Sequence, residues 1–330
     1  MNQGRKLQEI FSDPVGERSD LLLKKTLYPL GLPVEIATND GAVMEAAAEN
    51  WNGCQCAFAR EPIRVSVIVQ GGEGAAVAEP VYRLQCGILM IIADRGNFGV
   101  CDLRSRSGWC LVSREMLADR DSFRWYFLEA MVYILLAQED TVPVHAACVA
   151  HEEHGVLLCG ASGAGKSTLA FACARAGWTY IGDDATMLLQ KSRTRVAMGK
   201  PHRFHFRPEA VNLFPELNGY PKRIRPNGKP TVEIPTSAFP EIATASQCRV
   251  ECIVFLDRNK ASGAVARALP QQEAFERLMR EMPNYGDEVC RRYQETVLNL
   301  GAVPAYELRY GSVETAVPLL LSFVQPGADE

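Results

Sequence analysis

Apolar and polar positions along the chain change period several times, and each change predicts an element. Residues 1–24 are mostly polar, with one short helical stretch at 7–11. Residues 31–38 alternate as a strand does, and 41–51 carry Ala, Met and Glu at helical spacing. Alternation returns at 64–69 and is broken by Gly71-Gly72-Glu73-Gly74. Four further short runs, at 81–86, 88–93, 98–103 and 109–113, are separated by tight turns such as 94–97 and 105–108. Closely spaced strands with such turns predict an antiparallel meander. Residues 1–120 therefore read as a strand-rich α+β module, without a recognisable catalytic constellation.

The period then lengthens. Phe123, Phe127, Met131 and Ile134 or Leu135 share one face of a helix predicted over 121–137. With its linker it forms a bridge, 121–142, to a third part, 143–330, in which strands and helices alternate as in an α/β domain. Residues 144–150 and 155–159 are apolar strands joined by the polar turn His151-Glu152-Glu153-His154, which predicts a hairpin. A helix begins at Lys166 with Leu169, Ala170 and Cys173 on one face, and a strand over 179–184 ends in two carboxylates. Pro208 suits the first turn of a helix through Leu213. Residues 218–231 hold Lys222, Arg223, Arg225 and Lys229 among prolines and glycines, the pattern of an exposed basic loop. The run 250–256 is apolar throughout, the mark of a strand buried on both faces. Amphipathic helices near 272–282 and 288–300, a strand at 306–309 and a helix at 312–323 complete the domain.

Bulk properties narrow the partners. At 330 residues and 47% hydrophobic, the chain can build two cores. A net charge of −4 gives no electrostatic reason to expect nucleic acid or an anionic membrane. No apolar stretch reaches the ~18 residues of a membrane span. The 11 cysteines are odd in number, and no signal peptide is visible, so a reducing cytosol is the expected compartment. Cys54-x-Cys56 lacks a second pair at zinc spacing and reads as free thiols.

The chemistry concentrates at Gly160-Ala161-Ser162-Gly163-Ala164-Gly165-Lys166-Ser167-Thr168. The stretch fits G-x-x-x-x-G-K-[ST], which a chain of this length matches by accident in roughly one case in a hundred. Its setting, after an apolar strand and opening a helix, is the one the motif demands. Glycines let backbone N–H groups curl around phosphate oxygens, and the helix N-terminus adds positive potential. Lys166 is placed to reach the β- and γ-phosphates, and the Ser167 hydroxyl to ligate Mg²⁺. The bland alternative is a glycine-rich turn that binds nothing. Asp183 and Asp184 end the strand after the loop's helix. As an isolated pair they would be a turn or cap; one crossover after a phosphate loop, they divide between Mg²⁺ and an acceptor. His145, alone in an apolar strand, reads equally as a core histidine or as a site residue.

Residues 145–189 resemble the bacterial HPr kinase/phosphorylases and the HPr-kinase-like serine kinases. In that family a His stands twenty-one residues before the loop Lys, and the second Asp of a pair eighteen after it; His145, Lys166 and Asp184 keep both separations. The resemblance implies Asp184 as the base for the acceptor proton, His145 and Lys166 beside the transferring phosphoryl, Ser167 on Mg²⁺ and Asp183 as a Walker-B-like carboxylate. It departs at Phe204-His205-Phe206-Arg207-Pro208, where His205 takes the place of a metal-holding Glu and the signature glycines are gone. Arg207 alone is retained, as a phosphate or acceptor contact. His202 and His205 otherwise read as part of an ordinary polar strand.

The expectation is therefore a P-loop kinase domain of the HPr kinase/PEP carboxykinase-like type carrying an N-terminal α+β module. It would use ATP and Mg²⁺ to phosphorylate a hydroxyl, above all a serine, of a protein, peptide or small molecule in the cytoplasm. The related kinases assemble into hexamers, which leaves homo-oligomerisation open. The alternative is a nucleotide-sensing regulatory module without transfer activity.

Overall fold

The structure is a computed structural model of the chain that describes residues 21–71, 78–183, 185–192, 194–225, 228–258, 263–283 and 287–324. The short helix expected at 7–11 and Asp184 lie outside the described residues. The chain divides into two compact units, 1–135 and 136–330, and the division falls inside the segment expected to bridge them.

The first unit is built on a seven-stranded sheet: β1 (Leu23–Leu27), β2 (Val34–Thr38), β3 (Ile63–Gln70), β4 (Val81–Gln85), β5 (Ile88–Ile92), β6 (Phe98–Asp102) and β7 (Ser107–Ser113). Their order is β1-β2-β3-β7-β6-β5-β4. β4 to β7 form the antiparallel meander that their turns predict. β3 joins the meander by pairing β7 in parallel, and β2 pairs β3 in parallel too. In β3 the alternating side chains Ile63, Val65, Val67 and Val69 are buried, so the period seen in the sequence marks the core face. The helix α1 (Gly41–Trp51) starts where the Asp40 side chain accepts a hydrogen bond from the Ala42 amide at 2.9 Å. It buries Val43, Ala46, Ala47 and Trp51.

Two short helices, α2 (Arg114–Ala118) and α3 (Arg120–Phe123), lead into α4 (Ala130–Glu139), which runs across the division. The continuous helix expected over 121–137 is interrupted: Arg124–Glu129 is a π-helical stretch. Phe123, Phe127, Met131 and Leu135 nevertheless keep one buried face.

The second unit centres on a nine-stranded sheet made of β8 (Thr141–Val144), β9 (Ala146–His151), β10 (His154–Cys159), β11 (Thr179–Gly182), β12 (Thr186–Leu189), β13 (Val196–Met198), β17 (Gln247–Arg258), β18 (Ala264–Ala268) and β19 (Ala305–Tyr310). Its order is β11-β9-β10-β17-β13-β12-β8, with β19 on the second half of β17 and β18 outside β19. The strand expected over 144–150 is divided at His145. β8 pairs β12 at one end of the order, and β9 lies beside β10 near the other, so the sheet curls back on itself there. The Thr186 hydroxyl ties the two ends by donating to the Ala146 carbonyl at 2.9 Å. β17 is the central strand, and its run Val250–Leu256 is buried, apart from a half-buried Glu251.

One face of this sheet is covered by α5 (Lys166–Arg175), α8 (Val313–Leu321) and a separate three-stranded sheet ordered β14-β16-β15, made of β14 (Arg203–Phe206), β15 (Lys222–Ile224) and β16 (Pro230–Pro235). Phe171 of α5 is the hub of this core, edge-on to Phe204, Phe206, Phe214 and Phe239. The opposite face buries α6 (Gln271–Arg280) and α7 (Asp287–Leu298). Two expectations change here. The basic stretch 218–231 is not simply a loop, because Lys222–Ile224 and the start of β16 pair as strands. The helix expected after Pro208 is a short 3-10 turn, Pro208–Asn212.

Candidate functional site

Register gathers one edge of the second sheet. β10, β17 and β19 are mutually parallel, so Cys159, Arg258 and Tyr310 end at the same edge. β9 runs against β10 with Ala146 opposite Cys159, and His145 immediately precedes Ala146. β11 runs against β9 and ends at Gly182, so Asp183 arrives at that edge as well. Ligands of open α/β sheets bind outside the carboxyl ends of parallel strands.

The glycine loop leaves β10 and enters α5 at this edge. Gly160, Gly163 and Gly165 have φ of 144°, 95° and 97°, a region that side-chain-bearing residues rarely adopt. Gly165 caps α5 in the left-handed conformation, and a Cβ there would strike the Tyr310 hydroxyl. That hydroxyl donates to the Ala164 carbonyl at 3.0 Å. Burial raises the Tyr310 pKa to about 12, so the donor stays protonated at ordinary pH.

The cations lie around the loop. Lys166 is buried, and its ammonium donates to the Gly160 carbonyl at 2.5 Å and to the Ala161 carbonyl at 3.4 Å. Arg207 donates to the Ser162 hydroxyl at 3.0 Å, and its guanidinium is 3.4 Å from where a Gly163 side chain would begin. The Arg258 side chain passes the Gly165 position at 3.6 Å.

Opposite them stands a buried carboxylate. Asp183 is 4% exposed. Its Oδ2 accepts the His205 main-chain N–H at 2.7 Å, and its Oδ1 is 3.0 Å from His205 Nδ1. The Ser167 hydroxyl donates to the Asp183 carbonyl at 3.4 Å, which ties the start of α5 to the end of β11. His205 itself sits on β14 opposite Glu233 of β16. Glu233 is paired with Arg225 at 3.2 Å and Arg203 at 3.6 Å.

Hydrogen bonds thus gather Lys166, Ser167, Asp183 and Arg207 around the loop, and His145 lies one residue before the end of β9 that faces Cys159. Two residues were passed over in the sequence, and a third, His205, was weighed and set aside. His205, read as part of an ordinary polar strand, is bonded to Asp183. Arg258 and Tyr310 carry no motif; the available signal was their position at the ends of strands that prove parallel.

The donor set fits a hard divalent cation. Hydroxyl and carboxylate oxygens at Ser167 and Asp183 suit Mg²⁺, and a buried carboxylate beside a glycine loop leaves negative charge for it to meet. Among the described residues no group of three or more His, Cys, Asp and Glu is placed to hold a metal alone.

The second unit is a mixed α/β fold whose sheet edge carries a glycine loop, two arginines and a buried carboxylate. Residues 109–213 match the family described as SynChlorMet cassette protein ScmC, a span of less than half the chain. No curated protein matches the chain. Among solved structures, the HPr(Ser) kinase/phosphatase from Coxiella burnetii is similar over 55% of this chain and 93% of its own, at 14% identity and a TM-score of 0.32. That is a distant structural relationship at most. No helix among the described residues is long and apolar enough to cross a membrane.

Proposed function

We propose that the chain is an ATP- and Mg²⁺-dependent kinase that transfers the γ-phosphoryl group to a hydroxyl, above all a serine, of a protein, peptide or small molecule. The observation that carries the reading is the glycine loop at the carboxyl ends of parallel strands, with Lys166 at its helix start and Arg207 across its mouth. Backbone N–H groups of 160–168 would cradle the phosphates. Lys166, now bonded to loop carbonyls, would exchange them for phosphate oxygens, and Arg207 and Arg258 would oppose the charge that builds on the transferring group. Ser167 and Asp183 would hold Mg²⁺, which when bound offsets the charge on the β- and γ-oxygens. The acceptor oxygen bonds to the γ-phosphorus as the bond to the β,γ-bridging oxygen breaks; ADP leaves, and the acceptor proton passes to a base. The resemblance at 145–189 supports Asp184 as that base and His145 as a neighbour of the phosphoryl group.

A nucleotide sensor without transfer is the second reading, favoured by His205 standing where the resembling family has a metal-holding Glu. Incubation with γ-labelled ATP and a panel of acceptors (an HPr-like protein, free serine, serine-containing peptides) separates the two. Label on an acceptor, lost in Lys166→Ala along with nucleotide affinity, is the expected result. ATP binding with no labelled acceptor selects the sensor, and unchanged ATP affinity in Lys166→Ala removes the loop from both readings.

A further inference from the structure

We propose that His205 is a positioning residue for Asp183, holding its carboxylate so that Asp183 and Ser167 together accept a divalent cation beside the glycine loop. This rests on reading that loop as a metal–nucleotide site.

Three observations lead there. First, His205 grips the carboxylate twice, by main-chain N–H at 2.7 Å and by ring Nδ1 at 3.0 Å, one contact on each oxygen. A carboxylate has about four lone-pair sites. Two contacts fix its orientation and leave acceptor capacity on both oxygens. Second, His205 is itself held. It lies within β14, paired to β16 and opposite Glu233, whose charge is met by Arg225 and Arg203. The carboxylate is therefore anchored to a folded sheet, not to a free side chain. Third, the other oxygen donor is tied to the same residue: Ser167 Oγ is 3.4 Å from the Asp183 carbonyl. The hydroxyl and the carboxylate are thus registered against each other across the gap between α5 and β11.

A buried carboxylate left without hydrogen-bond partners is costly and turns toward whatever it can find. The main-chain and ring contacts of His205 supply those partners, one to each oxygen. Hydrogen-bond partners behind a metal-binding carboxylate are typically worth 10–100-fold in metal affinity.

The test uses the full-length chain, Mn²⁺ as the probe ion and the β,γ-imido analogue of ATP. Mn²⁺ binding is followed by electron paramagnetic resonance, and nucleotide binding without metal by calorimetry. His205→Ala is expected to weaken Mn²⁺ about 10-fold or more while metal-free nucleotide affinity stays within about 2-fold of the wild type. The surviving main-chain N–H keeps the loss at the lower end. His205→Asn offers an amide N–H near the reach of Nδ1 and is expected to restore most of the affinity. Circular dichroism melting of each variant checks that it is folded. A role in folding alone would lower stability and both affinities together, which overturns the proposal. Wild-type Mn²⁺ affinity in His205→Ala overturns it too, as does His205→Asn behaving like His205→Ala. A wild-type chain that binds no nucleotide, or binds it without taking up Mn²⁺, overturns the underlying metal–nucleotide reading, and that is visible before any variant is made.

Discussion

At the scale of single residues, two adjacent aspartates carry different expectations. Asp183 is buried and held on both oxygens, which suits a fixed electrostatic partner. A base must instead meet the acceptor, the role the resemblance implies for Asp184. Loss of a positioned general base costs about 10²–10⁴ in rate. Asp184→Asn is therefore expected to lower transfer by that factor while leaving ATP affinity intact. Single-turnover kinetics with labelled ATP reads the first and calorimetry the second; full transfer activity in Asp184→Asn would assign the base elsewhere. The loop, its lysine and the aspartate pair stood out in the sequence because the phosphate-loop motif constrains residue types at short spacing. His205 did not. Its significance comes from Asp183, twenty-two positions away in sequence and 3.0 Å away in space, and no local pattern encodes such a contact.

At the scale of elements, α5 couples the site to the core. Its first residues are Lys166 and Ser167, and one turn on, Phe171 is fully buried in the aromatic cluster. Ring centroids of Phe204, Phe206, Phe214 and Phe239 lie 5.0, 5.2, 4.9 and 5.3 Å away, all near perpendicular. Such edge-to-face contacts add to the area buried. The same cluster seats β14, which carries His205 and leads to Arg207, against α5. Phe171→Ala is expected to cost about 3–5 kcal/mol, measured by denaturant unfolding, and to loosen the approach of Arg207 to the loop. Helical and alternating periods made α1, β3 and the amphipathic helices readable. β15 was hidden because its three residues are all exposed and show no alternation. The π-helical stretch at Arg124–Glu129 was hidden because it leaves the buried face of the surrounding helix in register.

At the scale of the whole molecule, buried thiols give the stability a pH dependence. Burial raises Cys101, Cys159 and Cys252 from 9.0 to about 12, and Cys110 and Cys173 further still. Each folded pKa lies above its unfolded value, so the native state holds these protons more tightly. Their contribution is complete below about pH 9 and is lost progressively as pH rises toward 12. Tyr310 acts in the same direction between 10.0 and about 12. The melting temperature under reducing conditions is expected to fall across that alkaline window; a flat profile from pH 9 to 11 would show that these groups ionise without unfolding.

What the sequence by itself determined is the local pattern: which runs are strands, where the helices begin, and that one glycine loop lies between a strand and a helix. Period and spacing carry those features, and both lie within a few neighbouring residues. What only the tertiary structure decided is who meets that loop. Parallel pairing of β3 with β7 joins segments some forty residues apart by hydrogen bonds that any strand can make. Parallel pairing of β10, β17 and β19 likewise delivers Arg258 and Tyr310 to the loop, and the packing of β14 on α5 delivers His205 to Asp183. Backbone pairing is blind to side-chain identity, so these encounters are set by the energy of the whole fold.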